Sequence, residues 1–200
     1  MNMLCLDVEG VLLPEIWIAV AKHYDIDGLR LTTRDISDYS VLMGRRIEIL
    51  AEHDIRLPDI QAVIAEMGPL EGAKDFLDWL RRRAQVTLLS DTFYQFAMPL
   101  MAQLGFPTLL CHKLEVDAGG RIVGYDLRQS DSKRHAVMAF KTLNYRVLAV
   151  GDSYNDITML SEADEGILFN APSNVVSEFP QFPLANDYAE LQGLIEKLAP

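Results

Sequence analysis

Short apolar runs alternate with longer amphipathic stretches along most of this chain. The runs end at turn or acidic residues, a pattern typical of strands that are buried on both faces of a sheet. The longer stretches carry apolar residues on one side only, as helices that pack on a core do. We therefore expect strands at 3–8, 86–89, 108–111, 147–150 and 166–169, and helices at 72–83, 94–104, 133–143, 155–163 and 187–198. This alternation predicts an α/β fold with a doubly wound parallel sheet.

Residues 113–128 depart from the alternation, because two short apolar segments flank the sequence Asp-Ala-Gly-Gly at 117–120. An acidic, glycine-rich turn between two such segments is typical of a β-hairpin. We expect one antiparallel hairpin beside the parallel strands.

Residues 15–71 also break the alternation, because they are helical in pattern over most of their length and lie between joints near Pro14 and Gly68. The apolar helical patterns are at 16–21, 41–51 and 58–67. An ordinary long crossover is one interpretation, but a helical segment of this length over a strand end more often acts as a lid. We expect a small helical cap domain at 15–71, inserted after the first strand of a core formed by 1–14 and 72–200.

Composition narrows the classes of partner. The chain has 200 residues, half of them apolar, which suits one core domain with a modest insertion. Lys and Arg number 18 against 29 Asp and Glu, a net charge of −11. This balance argues against sequence-independent attraction to nucleic acid or to an anionic membrane. Small-molecule substrates or a cation are the expected partners, and both a monomer and a homodimer stay open.

The two cysteines bear on the cellular compartment. Cys5 and Cys111 lie in apolar segments far apart, with no spacing typical of metal ligands. We expect buried free thiols of a reducing compartment, which predicts a cytoplasmic protein. No apolar run approaches the roughly 18 residues that span a bilayer, and the N-terminus lacks the features of a signal peptide. We therefore expect no membrane partner and a mature protein that is the whole chain.

Acidic residues follow two of the expected strands. Asp7 and Glu9 come after the first strand, and Asp152 follows the strand at 147–150, with Asp156 four residues later. Ligands of open parallel sheets bind at the carboxyl ends of the strands, so these acids are expected to meet in one crevice. Clustered carboxylates repel each other unless a cation is present, and such hard oxygen ligands suit Mg²⁺. The alternative is solvated acids at strand ends and helix N-termini.

A third strand end carries groups that suit a phosphate. Ser90, Asp91 and Thr92 follow the strand at 86–89, where a hydroxyl and backbone N–H groups can hold phosphate oxygens. Lys133 opens a later helix, and its ammonium group can balance a carboxylate and a phosphoryl group. Taken alone, a lysine at a polar helix start is more often solvated.

In chain order, the motifs are Asp-x-Glu at 7–9, Ser-Asp-Thr at 90–92, Lys133, and Gly-Asp-x-x-Asn-Asp at 151–156. This order resembles the haloacid dehalogenase superfamily of phosphotransferases, and the resemblance covers nearly the whole chain. It implies the superfamily's Rossmann-like core and an aspartyl-phosphate intermediate.

The resemblance also implies a role for each matching acid. Asp7 would be the nucleophile, and Glu9 would be the general acid for the leaving oxygen and then the base for the attacking water. Asp7, the backbone carbonyl of Glu9 and Asp152 would hold Mg²⁺, with Asp156 in support.

Three further residues would contact the phosphoryl group by the same likeness. Ser90 and Lys133 would fix and neutralise its oxygens, and Asn155 would help to orient them.

The insertion directly after the first motif is similar to that of the phosphoserine phosphatase group. A cap that recognises an amino acid needs an acid for the α-ammonium group and an arginine for the α-carboxylate. Glu15 and Arg46 stand at matching places, Arg45 competes with Arg46, and Met43 is a candidate for the pocket wall. Arginine binds a carboxylate in a fork geometry. Glu15 as a helix N-terminal acid and Arg46 as a surface residue are the alternatives.

Two departures from that group concern the substrate. Glu9 stands where most phosphatases of the superfamily have Asp, and Asp91 stands where a glycine is usual. Asp91 adds a negative charge near an approaching phosphate, unless it turns away or binds a second hydroxyl substrate. These variants are similar to the bacterial phosphoserine phosphatase/homoserine phosphotransferase group. That likeness implies transfer of phosphate from phosphoserine to water or to the hydroxyl group of homoserine.

Two other functions remain open at this point. One is a phosphatase of the same mechanism that acts on sugar phosphates or nucleotides. The other is a signalling module that carries an aspartyl phosphate as a state, as receiver domains do. Receivers are shorter, lack a helical insertion after the first strand and phosphorylate an acid on a middle strand.

Overall fold

The computed structural model of the chain describes residues 1–32, 35–36 and 38–198. Within these residues, the strands form one sheet in the order β4-β3-β2-β1-β5-β6-β7. The strands are β1 (Asn2–Leu6), β2 (Gln85–Phe93), β3 (Thr108–Val116), β4 (Ile122–Asp126), β5 (Arg146–Gly151), β6 (Glu165–Phe169) and β7 (Leu184–Ala185). The pairs are parallel except for β3 with β4. The predicted α/β architecture and the predicted hairpin are thus confirmed.

The central strand β1 pairs with β2 on one side and β5 on the other, and its side chains alternate between the two faces of the sheet. Leu4 and Leu6 belong to one hydrophobic cluster, and Met3 and Cys5 to the other. Both faces are therefore covered, which explains why the strand reads as a continuous apolar run.

Helices cover both faces of the sheet. They are α1 (Ile16–Tyr24), α2 (Tyr39–Glu52), α3 (Leu57–Glu66), α4 (Ala73–Arg81), α5 (Tyr94–Gln103), α6 (Ser132–Thr142), α7 (Ile157–Glu162), α8 (Ser173–Glu178) and α9 (Tyr188–Leu198). The first five and α9 contribute to the cluster that contains Leu4, while α6, α7 and α8 contribute to the cluster that contains Cys5. Among the helices of the described residues, none is both long enough and apolar enough to cross a bilayer. Both cysteines are buried and unpaired, as predicted.

The sequence pattern misses the shortest elements. Strand β7, helix α8 and the 3-10 helices at Asp27–Arg30 and Tyr154–Asp156 are too short to show a period. The last of these replaces the first turn of the helix predicted at 155–163.

Helices α1, α2 and α3 lie between β1 and β2 in the chain, within the segment predicted as a cap. Asp38 caps α2, because its carboxylate accepts the N–H groups of Ser40 and Val41 at 2.8 and 3.3 Å. The Leu57 N–H donates to the Gly120 carbonyl at 2.9 Å, so the α2–α3 connection is attached to the β3–β4 hairpin.

Candidate active site

One cavity of about 660 Å³ lies at the carboxyl ends of β1, β2 and β5, against the helices that follow β1. It is lined by Asp7, Glu9, Glu15, Trp17, Ile18, Thr32, Tyr39, Leu42, Arg46, Ser90, Asp91, Thr92, Lys133, Asp152, Ser153, Tyr154, Asn155 and Asn174. Of the residues named from the sequence, Met43, Arg45 and Asp156 are not on its wall, although Met43 contacts Arg46 and Asp156 contacts Lys133, which are. Strand ends that are far apart in sequence therefore meet in one crevice.

Lys133 is the centre of the charge cluster. Its Nζ atom is 2.8 Å from Oδ1 of Asp7, 2.8 Å from Oδ1 of Asp156 and 3.6 Å from Oδ2 of Asp91. The side chain is buried, which alone lowers the pKa of a lysine, but the three carboxylates hold its pKa well above the usual value. Lys133 is therefore a permanent cation beside Asp7.

Asp156 is the most deeply buried acid of the site and has a structural task. Its Oδ1 atom accepts from Lys133, and its Oδ2 atom accepts the N–H groups of Asp152 and Ser153 at 3.0 and 3.2 Å. A Cβ atom on Gly151 would lie 2.3 Å from the Cβ atom of Asp156, so only glycine fits there. Asp156 thus fixes the loop after β5 and orients Lys133.

The cluster can hold a divalent cation. Asp7, Asp152 and Asp156 each offer a carboxylate oxygen, and these oxygens lie within 4.8 Å of one another. Since both oxygens of Asp156 accept hydrogen bonds, Asp7 and Asp152 are the better side-chain ligands. Burial and the charge of Asp156 raise the pKa of Asp7 well above its usual value, and a bound cation opposes both effects. A site with so few protein ligands suits a hard cation that keeps several of its bound waters.

Gly10 makes room for one of these ligands. Its φ angle is +81°, and a Cβ atom there would lie 2.5 Å from Oδ2 of Asp152. The glycine after the first acidic motif therefore lets the Asp152 carboxylate approach the β1 end closely.

Glu9 connects the β1 end to the start of α1. Its Oε2 atom accepts the Ile16 N–H at 3.0 Å, and the Glu15 carboxyl and the Thr92 hydroxyl are near enough to affect its pKa. Burial, reinforced by the negative charge of Glu15, raises the pKa of Glu9 to about 8. The carboxyl therefore keeps a proton at neutral pH, as a general acid requires.

The β2 end supplies a hydroxyl group and a second carboxylate. Ser90 is buried, and its Oγ atom accepts the Thr92 N–H at 3.2 Å. Asp91 lies between Lys133 and Nε2 of His112, at 3.6 Å from each. Burial alone would raise the pKa of Asp91, but these two neighbours outweigh it and lower the pKa to about 2. Asp91 therefore stays ionised, and its charge is balanced by Lys133.

His112 has a defined tautomer. Its Nδ1 atom accepts the Arg128 N–H at 3.1 Å, so the ring proton of the neutral imidazole is on Nε2, towards Asp91. The Tyr39 hydroxyl donates to the Asp91 backbone carbonyl at 3.3 Å.

Arg46 is the cavity's buried arginine. Its guanidinium lies over the Trp17 ring at 4.5 Å, donates from Nη2 to the Leu31 carbonyl at 2.7 Å, and places Nη1 3.7 Å from the Met43 sulfur. Among the described residues, Nε has no hydrogen-bond partner. Burial lowers the pKa of Arg46 to about 10, so the group remains charged at neutral pH. Arg45 is exposed and does not line the cavity.

Sequence reasoning did not select Trp17, Tyr39, Thr92 and His112 as site residues. Thr92 stands inside the motif at 90–92, so its position was the available signal, whereas Trp17 stands in the apolar helical pattern at 16–21, which does not distinguish a site residue from a core residue. Nothing in the sequence relates Tyr39 or His112 to Asp91, since these contacts depend on tertiary packing.

Comparison with known proteins defines the class. The chain belongs to the haloacid dehalogenase-like hydrolases, whose family model matches residues 1–164. The chain is 65% identical to "Phosphoserine phosphatase ThrH" of Pseudomonas aeruginosa, over 96% of this chain and 94% of that protein. It is 63% identical to a "Phosphoserine phosphatase" of Pseudomonas syringae pv. tomato, over 94% of this chain and 79% of that protein.

Solved structures with the same fold include a phosphoserine phosphatase in apo form, with a TM-score of 0.78 and 19% identity. A phospho-aspartyl intermediate analogue of a phosphoserine phosphatase also has a TM-score of 0.78, at 18% identity. Each covers 96% of this chain and is itself covered to 97%.

Proposed function

We propose that this chain is a phosphoserine phosphatase that hydrolyses L-phosphoserine to L-serine and phosphate through an aspartyl phosphate on Asp7. One observation carries the proposal: the buried Asp7–Lys133 pair and the amino-acid ligands Glu15 and Arg46 line the same cavity. The activity named for the relatives from both Pseudomonas species supports this substrate.

In the first step, an oxygen of Asp7 attacks phosphorus, the P–O bond to serine breaks, and Glu9 gives its proton to the leaving oxygen. In the second step, Glu9 takes a proton from water while that water attacks phosphorus, and the P–O bond to Asp7 breaks. Lys133 and Ser90 hold the phosphoryl oxygens in both steps, and Asn155 helps to orient them.

We propose Mg²⁺ as the divalent cation, held by Asp7, Asp152 and the backbone carbonyl of Glu9. When bound, this ion neutralises charge on the phosphoryl group and on Asp7. Asp156 supports the site through the loop after β5 and through Lys133. We further propose that 15–71 forms a cap domain on a core of 1–14 and 72–200, and that the cap excludes bulk water during the reaction.

Substrate recognition depends on the cap in this proposal. Glu15 binds the α-ammonium group and Arg46 binds the α-carboxylate through its fork. The unpartnered Nε atom of the buried Arg46 supports this role, because a buried donor without a partner is costly until a ligand accepts from it.

Arg46→Ala is expected to raise KM for L-phosphoserine about 10- to 150-fold, since a hydrogen bond to a charged group contributes about 1.5–3 kcal/mol. Arg45→Ala is the matched control and should change KM less than about twofold, because exposed charges away from a site contribute little. Steady-state kinetics with phosphoserine and with O-phosphoethanolamine, which lacks the carboxylate, measure the effect. A phosphatase for sugar phosphates or nucleotides would instead keep its activity in the Arg46→Ala protein.

The pH dependence of kcat/KM is expected to have an alkaline limb near pH 8, because Glu9 must carry a proton in the first step and its pKa is about 8. Activity is present below that pH and is lost as the pH rises through it. Glu15→Gln removes a like charge and lowers the pKa of Glu9, so the limb should move to lower pH. Glu71→Gln, at an exposed acid, should leave the limb in place. A limb that stays fixed in the Glu15→Gln protein would contradict this assignment.

Transfer of the phosphoryl group to homoserine is the second candidate function. The position of Asp91 favours it, because this carboxylate lies on the cavity wall 3.6 Å from Lys133 and can accept a hydrogen bond from the hydroxyl group of an acceptor. Titrating homoserine into the reaction should divert product from inorganic phosphate to phosphohomoserine. If no phosphohomoserine forms at saturating homoserine, the transfer proposal fails and the hydrolase proposal stands.

Turnover distinguishes the proposed enzyme from a signalling module that carries an aspartyl phosphate as a state. Sustained release of many phosphates per chain supports the enzyme, whereas a single stoichiometric burst supports the module.

A further inference from the structure

Trp17 occupies a defined place between the cap and the core. It lies in the first turn of α1 and is 9% exposed, with its ring on the cavity wall. The Arg46 guanidinium lies 4.5 Å above the ring centre, and Phe96 of α5 makes an edge contact with the same ring at 5.4 Å. Phe96 is fully buried, so the indole is supported from the core side.

Arg46 is held along one edge and over one face. Along the edge, Nη2 donates to the Leu31 carbonyl, and Nη1 makes a 3.7 Å contact with the Met43 sulfur, which is a weak acceptor and constrains the tilt of the guanidinium little. Over the face, the Trp17 ring limits that tilt, because guanidinium groups stack on aromatic rings. Together these contacts determine where the unpartnered Nε atom points.

We propose that Trp17 is a positioning residue that sets the plane of Arg46 and thereby selects ligands that carry a carboxylate. The inference rests on the proposed function and deepens it, because a fork recognises a planar carboxylate only when its own plane is fixed. Without the ring, the guanidinium samples several orientations in the free protein. Binding a ligand must then restrict it to one of them, and this loss of entropy weakens the affinity.

The chain offers a matched control for this pair. Arg83 lies 4.4 Å above the ring of Trp79, which is on α4, away from the cavity. Trp79 also contacts an aromatic neighbour, Phe76, at 6.1 Å. Removing the Trp79 ring therefore breaks a similar cation–π pair without changing the site.

The experiment compares Trp17→Leu, Trp17→Phe and Trp79→Leu in the full chain, with L-phosphoserine and with O-phosphoethanolamine. Trp17→Leu should raise KM for phosphoserine about 3- to 30-fold, the range of cation–π contacts from exposed to desolvated, with kcat little changed. Trp17→Phe keeps an aromatic face and should recover part of the loss. Neither substitution should change kcat/KM for phosphoethanolamine more than about twofold, and Trp79→Leu should alter neither substrate.

A purely structural role for Trp17 predicts equal losses on both substrates, or a fall in kcat at unchanged KM, and either result overturns the inference. The wild-type protein tests the proposed function separately. If it does not prefer phosphoserine to phosphoethanolamine, the proposed function and the inference both fail.

A second measurement does not depend on the folding of the Trp17 variants. The chain has two tryptophans, so Trp79→Phe leaves Trp17 as its single indole. Its emission should shift when L-serine is added and should not shift with ethanolamine. Equal responses to both amines, or no response at serine concentrations that inhibit turnover, contradict the proposal.

Discussion

Asp7→Asn is expected to lower turnover of phosphoserine by about 10⁴-fold or more, the scale of losses seen when a covalent nucleophile is removed. An amide oxygen does not form the acyl phosphate, so the first step has no acceptor. The amide matches the carboxylate in shape and can still accept from Lys133, whose Nζ atom is 2.8 Å from Oδ1. The fold should therefore persist, and steady-state phosphate release measures the loss.

Asp78→Asn is the control for this substitution. Asp78 pairs with Lys74 on the surface of α4, outside the cavity, so its replacement should leave turnover unchanged. Wild-type turnover in the Asp7→Asn protein would refute covalent catalysis at Asp7.

Lys133→Met is expected to lower both activity and stability. Loss of the cation beside the phosphoryl group should reduce kcat about 10²- to 10³-fold, as removal of one preorganised electrostatic group does. The substitution also leaves the buried carboxylates of Asp7 and Asp156 without their partner, which costs about 3–5 kcal/mol in the free energy of unfolding. For a chain of this size, that corresponds to a fall in Tm of about 6 to 20 °C, measured by calorimetry.

Lys141→Met is the matched control, on the same helix α6. The Lys141 ammonium donates to the Glu162 carbonyl at 2.7 Å but is partly exposed, so its loss should cost about 1 kcal/mol or less. Equal changes in Tm for the two variants would contradict the central place of Lys133.

The sheet and the position of the site could be predicted from the sequence because both depend on local patterns. A strand buried on both faces reads as an apolar run, and the first polar residues after it lie at the sheet edge where ligands bind. Asp7, Glu9 and Asp152 were found in this way. Lys133 does not follow a strand, so only its place in the series of motifs distinguished it from a solvated lysine, and its contacts with Asp7 and Asp156 depend on the tertiary fold.

The sequence contains a signal that separates Arg46 from Arg45 and that was not used, namely the helical period of α2. Arg46 lies four residues after Leu42, three after Met43 and four before Leu50, all of which are buried on one face of α2. Arg45 is turned about 100° away from Arg46 around the helix, off this face, and is exposed. The helical period therefore places the second arginine inward.

The contacts around Asp91 could not have been predicted. Its neighbours His112 and Lys133 come from a different strand and a different helix, and the register of β2 with β3 brings the histidine close. In the sequence Asp91 is a negative charge without an evident partner, whereas in the folded chain Lys133 balances that charge.

Phosphorylation of Asp7 is tested most directly by acid quenching of the enzyme during turnover of phosphoserine, followed by proteolysis and mass spectrometry. We expect one phosphoryl group on the N-terminal peptide, localised to Asp7, and none in the Asp7→Asn protein. Ongoing turnover with no phosphorylated peptide, or a phosphoryl group on another residue, would contradict the proposed mechanism.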